Sequence, residues 1–282
     1  MNKFYKALLK NLISNKLNED WDLDFYEPEE PLVESQESQK NLQSLADSIL
    51  LSIAESFNEF TPYNDKITSI PYVTTMGINY SEIDPKYKEI FYKKEPLQIW
   101  PKLTNRSGDL GAYYPNLKKI ELFYDSDFLE KLIPIKKDRL AVYAKLHTRF
   151  FTTLLHELQH AYDDIISGGK AMNTKSDREF SKQQHLLSQN IDKKLKAEIY
   201  KNYLRLPSEV NARFAEAIYS TPLWDITDWE TFKTDSIDFK TVLKDFKEHF
   251  TGFDVLDQNV KNRIITRLYK FWKDKFGIIN PK

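Results

Sequence analysis

The sequence predicts an α+β protein in which a small, twisted, mainly antiparallel sheet packs on a long helix, with helical segments at both ends. Three patterns indicate this fold class. Apolar residues recur at helical spacing near the N-terminus and again after Asp125. Between these regions, short runs rich in β-forming residues are separated by Pro, Gly, Asn and Asp. A block of strands followed by a block of helices is typical of α+β domains.

The first 60 residues are predicted to form a helical N-terminal arm that contains an acidic linker at 19–38. Residues 2–17 carry apolar side chains at helical spacing, which favours an amphipathic helix that either packs on the core or docks on a protein partner. Eight acidic residues and no basic one lie between Glu19 and Glu34, as expected of a solvated linker. A second amphipathic helix is predicted at about 39–60.

Residues 61–222 are predicted to form the central domain, and residues 223–282 a helical segment packed on it. The clearest strands in the sequence are 67–73, 97–100 and 119–124. Helices then continue to the C-terminus, with breaks predicted at Pro134, 167–169, Pro207 and Pro222.

The composition excludes several classes of function. The 41 basic and 42 acidic residues give a net charge of −1, so nothing in the overall charge attracts nucleic acid or an anionic membrane. The absence of Cys removes thiol nucleophiles and zinc–thiolate clusters. Gly occurs seven times and forms no phosphate-binding loop. Any chemistry must therefore come from His, carboxylates, hydroxyls or a metal ion that they bind.

Neither a signal peptide nor a transmembrane segment is predicted. The apolar stretch that follows Lys6 ends at Lys10, far short of the 7–15 apolar residues of a secretory signal. No run of 18 apolar residues occurs. We therefore expect a cytoplasmic or virion-associated protein that does not bind membranes.

One segment, residues 152–160, carries a strong chemical signal, because it contains the pattern HExxH. His156 and His160 lie at i and i+4 of a predicted helix, so both imidazoles can reach a single metal ion. The intervening Glu157 is then placed to deprotonate a metal-activated water as the general base. Both His fall on a polar stripe opposite the apolar face of the helix, which favours a cleft-facing metal site over a pair of core His. Asp163 either orients a ligand or is an ordinary surface Asp.

A catalytic zinc ion usually has three protein ligands and one open position, so a third ligand is required. The position six residues after His160 is Ile166, which disfavours a third His there. A second predicted helix downstream, starting near Pro207, offers Glu209 as the preferred third ligand and Glu216 as the second choice. The alternative for Glu209 is a carboxylate at a helix N-terminus that pairs with Arg213 at i+4.

HExxH followed by a Glu on a later helix resembles the gluzincin class of zincin metallopeptidases. The sequence around these motifs is more similar to the metallopeptidase-like domains of large polyvalent proteins of phages and mobile elements. Their motifs are LLHExQHAxQ, then Tyr, then GEVEAR. The corresponding residues here are 154–161, Tyr203 and 208–213. The second motif is also loosely similar to that of ImmA/IrrE peptidases. Two departures, Asp163 in place of Gln and Pro207-Ser208 before the Glu, leave the ligand positions unchanged.

The resemblance implies a zincin-like fold with Zn²⁺ bound by His156, His160 and Glu209, and Glu157 as the catalytic base. In such folds an edge strand before the active-site helix pairs with extended substrate, and residues 111–122 lie where that strand is expected. An ordinary strand without a substrate role is the alternative. Tyr203 or Arg213 is the candidate stabiliser of the transition-state oxyanion.

Two functional hypotheses therefore remain open from the sequence. The first is a zinc-dependent peptidase that acts on a protein or peptide substrate. The second is a zincin-fold structural or interaction protein, for example a phage-particle component, with a structural or vestigial metal site. In the second hypothesis the N-terminal arm and the C-terminal helices carry the function.

Overall fold

The computed structural model describes residues 36–60, 68–81, 83–104, 110–172, 177–178, 180–181, 193–220 and 239–276. These residues form an α+β fold that is mostly helical and contains a small four-stranded sheet. The strands are β1 (Val73–Thr74), β2 (Gln98–Leu103), β3 (Gly111–Tyr114) and β4 (Lys119–Tyr124). The α-helices are α1 (Gln36–Phe60), α2 (Pro85–Lys88), α3 (Ser126–Leu132), α4 (Arg139–Ser167), α5 (Lys193–Leu204), α6 (Pro207–Ser220), α7 (Phe239–His249) and α8 (Gln258–Phe276).

The sheet has the strand order β1-β2-β4-β3 and is mixed. The pairings of β1 with β2 and of β3 with β4 are antiparallel, whereas β2 and β4 run parallel over six residue pairs. The predicted antiparallel pairing is therefore confirmed for both outer pairs of strands, whereas the parallel pairing of β2 with β4 was not predicted.

The sequence analysis placed a single edge strand over residues 111–122. The structure divides this segment into β3 and the start of β4, because Pro115–Leu117 forms a tight 3₁₀ turn that ends in the left-handed Lys118.

Helix α4 is the longest helix of the described chain and lies at the centre of the fold. Asp138 caps its N-terminus by accepting hydrogen bonds from the backbone N–H groups of Leu140 and Ala141. Gly168, in the left-handed conformation at φ 60°, ends the helix as predicted. Helices α1 and α6 pack on α4, and β3 and β4 contact it from the sheet side.

The hydrophobic core is continuous through the described parts of all three predicted segments. It includes Ile49 of α1, Leu154 of α4, Phe214 of α6, Phe246 of α7 and Leu268 of α8. Helices α1 and α8 therefore share one core with the central helix.

The predicted helix at 39–60 is confirmed and begins three residues earlier, at Gln36. The predicted breaks at Pro134 and Pro207 are confirmed as well. The predicted helix at 2–17, the acidic stretch from Glu19 to Glu34 and the break at Pro222 lie outside the described residues. In the described ranges, none of the helices has the length and apolar character needed to cross a bilayer.

Candidate metal centre

The side chains of His156, His160 and Glu209 converge between α4 and α6, and this buried triad could hold a metal ion. The two His lie one turn apart on α4, and Glu209 lies in the first turn of α6. The Nε2 atoms of the two His are 3.1 Å apart. The carboxylate oxygens of Glu209 lie 3.2 Å from His160 Nε2 and 3.5 Å from His156 Nε2. One donor atom from each residue lies within 4.8 Å of the others.

These separations fit tetrahedral zinc. Zinc–nitrogen and zinc–oxygen bonds of about 2.0–2.2 Å with tetrahedral angles would separate neighbouring ligand atoms by about 3.3–3.5 Å. The two His nitrogens are 3.1 Å apart, and the Glu209 oxygens lie 3.2 Å (Oε1 to His160) and 3.5 Å (Oε2 to His156) from them, which are close to this value. Two imidazoles and a carboxylate are also a donor set used by catalytic zinc sites. The residues present therefore fit the metal ion that the sequence predicts.

The electrostatics of the triad favour a positive charge between its members. Burial opposes protonation of His156, but Glu209 and Glu216 outweigh it and raise the pKa of His156 to about 10. Burial also opposes ionisation of Glu209, yet the two neighbouring His hold the pKa of this carboxyl well below its usual range. Buried carboxylates that stabilise a cation in this way are equally suited to a bound metal ion.

Glu216, the second choice for the third ligand, has a different position. Its Oε2 lies 3.4 Å from Nδ1 of His156, on the side of the ring away from the triad. A carboxylate at this ring nitrogen fixes the tautomer and orientation of a metal-binding His. Glu216 is therefore placed to orient His156, and Glu209 is the carboxylate that completes the triad.

Asp163 is buried rather than exposed, and its carboxylate does not orient a His by a hydrogen bond. Its Oδ1 accepts from Gln159 Nε2 at 2.9 Å, and its Oδ2 accepts from Asn211 Nδ2 at 3.2 Å. Burial raises the pKa of Asp163 to about 6, although its hydrogen bonds and the nearby His160 act in the opposite direction. Within the described part of the chain, Nδ1 of His160 has no hydrogen-bond partner.

Glu157 is buried beside the triad without belonging to it. Burial raises the pKa of its carboxyl, while the nearby His156 and His160 lower it. The backbone N–H of Tyr113, in the edge strand β3, donates a hydrogen bond to the Glu157 carboxylate. A carboxylate that is desolvated and held by one donor has the properties of a general base.

Tyr203 and Arg213 both lie next to Glu209. Arg213 Nε is 3.7 Å from Glu209 Oε2, so the i+4 pair exists in addition to the contacts with the two His. The Arg213 guanidinium also lies 5.9 Å from the centre of the Tyr203 ring. Burial, together with the charge and a hydrogen bond of Glu209, raises the pKa of the Tyr203 hydroxyl, which keeps it a proton donor at any ordinary pH.

Sequence reasoning missed several residues around this site. Tyr113 and Asp164 bring the sheet to α4, and Asn211 and Arg267 surround Asp163. Asp164 was detectable in principle, because it lies about 80° from His156 on a helical wheel of a buried helix, where a charged residue needs a partner. His249 is exposed, and His147 is partly buried against the Phe151 ring.

Comparisons with protein families, with curated proteins and with solved structures gave no match to this chain.

Proposed function

We propose that this protein is a zinc-dependent peptidase of the zincin type. The observation that carries the proposal is the combination of an open three-ligand triad with a separate buried carboxylate. A structural zinc site is usually closed by four protein ligands, whereas the described residues supply three here. In the described part of the chain Glu157 forms no ion pair, so its burial costs free energy that a purely structural metal site would not require.

The chemistry follows from the positions of the side chains. His156, His160 and Glu209 would hold the zinc ion, whose Lewis acidity lowers the pKa of water and polarises a carbonyl group. Glu157 accepts the proton of the attacking water and delivers it to the leaving amine nitrogen. Tyr203 remains protonated, and its single O–H, which pairs with Glu209 in this structure, would turn to the substrate to donate a hydrogen bond to the oxyanion of the tetrahedral intermediate.

The edge strand β3 is the proposed contact for an extended substrate. It pairs with β4 on one side, and no described strand pairs with its other side. Pairing through the main chain gives affinity with little dependence on substrate side chains. A protein or peptide of broad sequence is therefore the proposed substrate class.

Two isosteric substitutions test the proposal, because each removes the charge of one buried carboxylate. Glu157→Gln should keep one equivalent of zinc and reduce peptide hydrolysis by about 10²–10⁴-fold. Glu209→Gln should weaken zinc binding by more than the roughly 10–100-fold typical of an outer partner. Zinc content measured by mass spectrometry and cleavage of a peptide library provide the two readouts. Glu130→Gln, an exposed substitution on α3, serves as the control.

The outcomes separate the two functional classes. Undiminished proteolysis by the Glu157→Gln variant would contradict the mechanism. Stoichiometric zinc without cleavage of any library peptide would favour the alternative, a zincin-fold structural or interaction protein such as a phage-particle component.

A further inference from the structure

A cluster of side chains joins the β3–β4 hairpin to the C-terminal half of α4. Asp164 Oδ2, which is buried, accepts hydrogen bonds from Tyr113 Oη and from Lys118 Nζ, each at 2.7 Å. Lys118 Nζ also lies 2.8 Å from Glu95 Oε2. One buried carboxylate therefore binds the hairpin at two points, one on the edge strand and one in the turn.

Tyr113 connects this cluster to the proposed general base. Its backbone N–H donates to Glu157, while its hydroxyl donates to Asp164, seven residues further along α4. Seven residues correspond to about 10 Å of helix axis, so one residue of β3 is fastened to α4 at two separate points. Burial raises the pKa of the Tyr113 hydroxyl, and Asp164 raises it further, which keeps the hydroxyl a donor.

Two backbone features match this attachment. Gly111 lies so close to α4 that a Cβ atom there would be 2.5 Å from Thr153 Cγ2 and 3.3 Å from Glu157 Cγ. Lys118 has φ 45°, an unfavourable conformation for a residue with a side chain, which persists where the surroundings hold it. The ion pairs of Lys118 with Asp164 and Glu95 supply such a restraint.

We propose that Asp164, Tyr113 and Lys118 form a latch that holds β3 on α4 and so positions the carboxylate of Glu157. The inference rests on the proposed peptidase function for its catalytic consequence, but the latch itself is a property of the fold. The three residues are positioning residues, because they act through the Tyr113 amide and not on the substrate. Loosening the latch releases this amide from Glu157 and leaves the three metal ligands in place.

Tyr113→Phe and Lys118→Met each remove one donor to Asp164 and retain most of the side-chain volume. Tyr143→Phe and Lys261→Met are matched controls. The Tyr143 hydroxyl donates to Asp47, and Lys261 Nζ donates to the backbone oxygen of Asp254, both away from the latch. The first readout is hydrogen exchange of the Tyr113 amide by NMR in metal-free and zinc-loaded full-length protein. The second is steady-state kinetics of peptide hydrolysis, with zinc content measured in parallel.

Both latch variants should accelerate exchange of the Tyr113 amide by about tenfold or more, the factor that corresponds to losing one hydrogen bond to a charged group. They should lower kcat by about tenfold with KM within about twofold, because the orientation of the base is affected and zinc binding is not. The controls should change neither quantity.

Amide exchange decides the inference independently of the proposed function. Exchange in Tyr113→Phe that equals exchange in Tyr143→Phe would overturn the latch, whatever the kinetics give. A wild-type protein that binds zinc but cleaves no peptide would refute the peptidase proposal, and faster exchange in both latch variants would still support the latch. A loss of kcat in the latch variants without faster exchange of the Tyr113 amide would also refute the latch.

Discussion

Substitution of Gly111 by Ala is expected to separate β3 from α4. The added Cβ would lie 2.5 Å from Thr153 Cγ2, whereas ordinary contacts begin at 3.4 Å, so the two groups must move apart by about 0.9 Å. Movement in other directions is restricted by the backbone oxygen of Glu121 at 3.2 Å and by Glu157 Cγ at 3.3 Å. The strand or the Glu157 side chain must therefore shift.

Overpacking of this kind costs about 1–3 kcal/mol. For 282 residues, an unfolding entropy of about 2.1 cal/mol/K per residue gives a total of about 0.6 kcal/mol/K, so Tm should fall by about 2–5 °C. Hydrolysis should fall as well, because a displaced β3 no longer holds Glu157 through the Tyr113 amide. Differential scanning calorimetry and a peptide-cleavage assay measure the two effects.

Two further variants make the test specific. Gly77→Ala introduces the same methyl group where no atom lies within 4 Å, so it should leave Tm unchanged or raise it slightly. Thr153→Ser deletes the methyl group that would collide with Ala at position 111, so the double variant should recover most of the lost Tm and activity. Equal Tm values for the two Gly variants, or no recovery in the double variant, would refute the reasoning.

Three other predictions concern the candidate metal centre. Glu216→Gln should weaken zinc binding by about 10–100-fold in competition with a chelator, and an unchanged affinity would show that Glu216 does not orient His156. Tyr203→Phe should keep its zinc and lower kcat by about hundredfold, whereas an undiminished kcat would exclude the Tyr203 hydroxyl as oxyanion donor. The metal-free protein should lose stability as pH rises from about 6.5 towards about 10. Despite burial, Glu209 and Glu216 raise the pKa of His156 from its ordinary 6.5 to about 10. The protonated His156 therefore contributes fully to the free energy of unfolding below pH 6.5, and this contribution is lost as the pH rises through about 10. Urea titrations across this range should show the decline, and Glu216→Gln should reduce it; a flat profile would contradict the ionic contribution.

The parts of the fold that the sequence predicted correctly depend on local signals. Pro207 starts α6 because its missing N–H is harmless in a first helical turn. Gly168 ends α4 because it adopts the left-handed conformation without strain. The proximity of the His156 and His160 side chains similarly follows from the geometry of a single helix, because residues at i and i+4 lie on the same face. Glu209 required one more step, the choice of an acidic residue in the first turn of a later helix.

The parts that the sequence did not predict depend on contacts between distant segments. The direction of β2 relative to β4 is set by packing, because alternation of apolar residues is the same in parallel and antiparallel strands. Tyr113 belongs to no recognisable sequence motif. Its hydrogen bond to Asp164 depends on the packing of β3 on α4. The residue type of Glu216 predicts a second-choice ligand. Its contact with Nδ1 of His156 depends on the packing of α6 on α4, which the sequence does not reveal.

The C-terminal helix is connected to α4, which carries His156 and His160, through two side chains, so the segment after residue 222 contributes to the surroundings of the candidate site. Arg267 Nη1 of α8 donates to Asn211 Oδ1 at 2.8 Å, and Asn211 Nδ2 donates to Asp163 Oδ2 at 3.2 Å. Asp163 lies three residues after His160, and the charge of Arg267 opposes the rise in the Asp163 pKa that burial causes. Without α8, Asn211 would lose this partner and Asp163 would lose a compensating positive charge. The C-terminal helix therefore supports the electrostatics of α4 beside the triad in addition to covering the core.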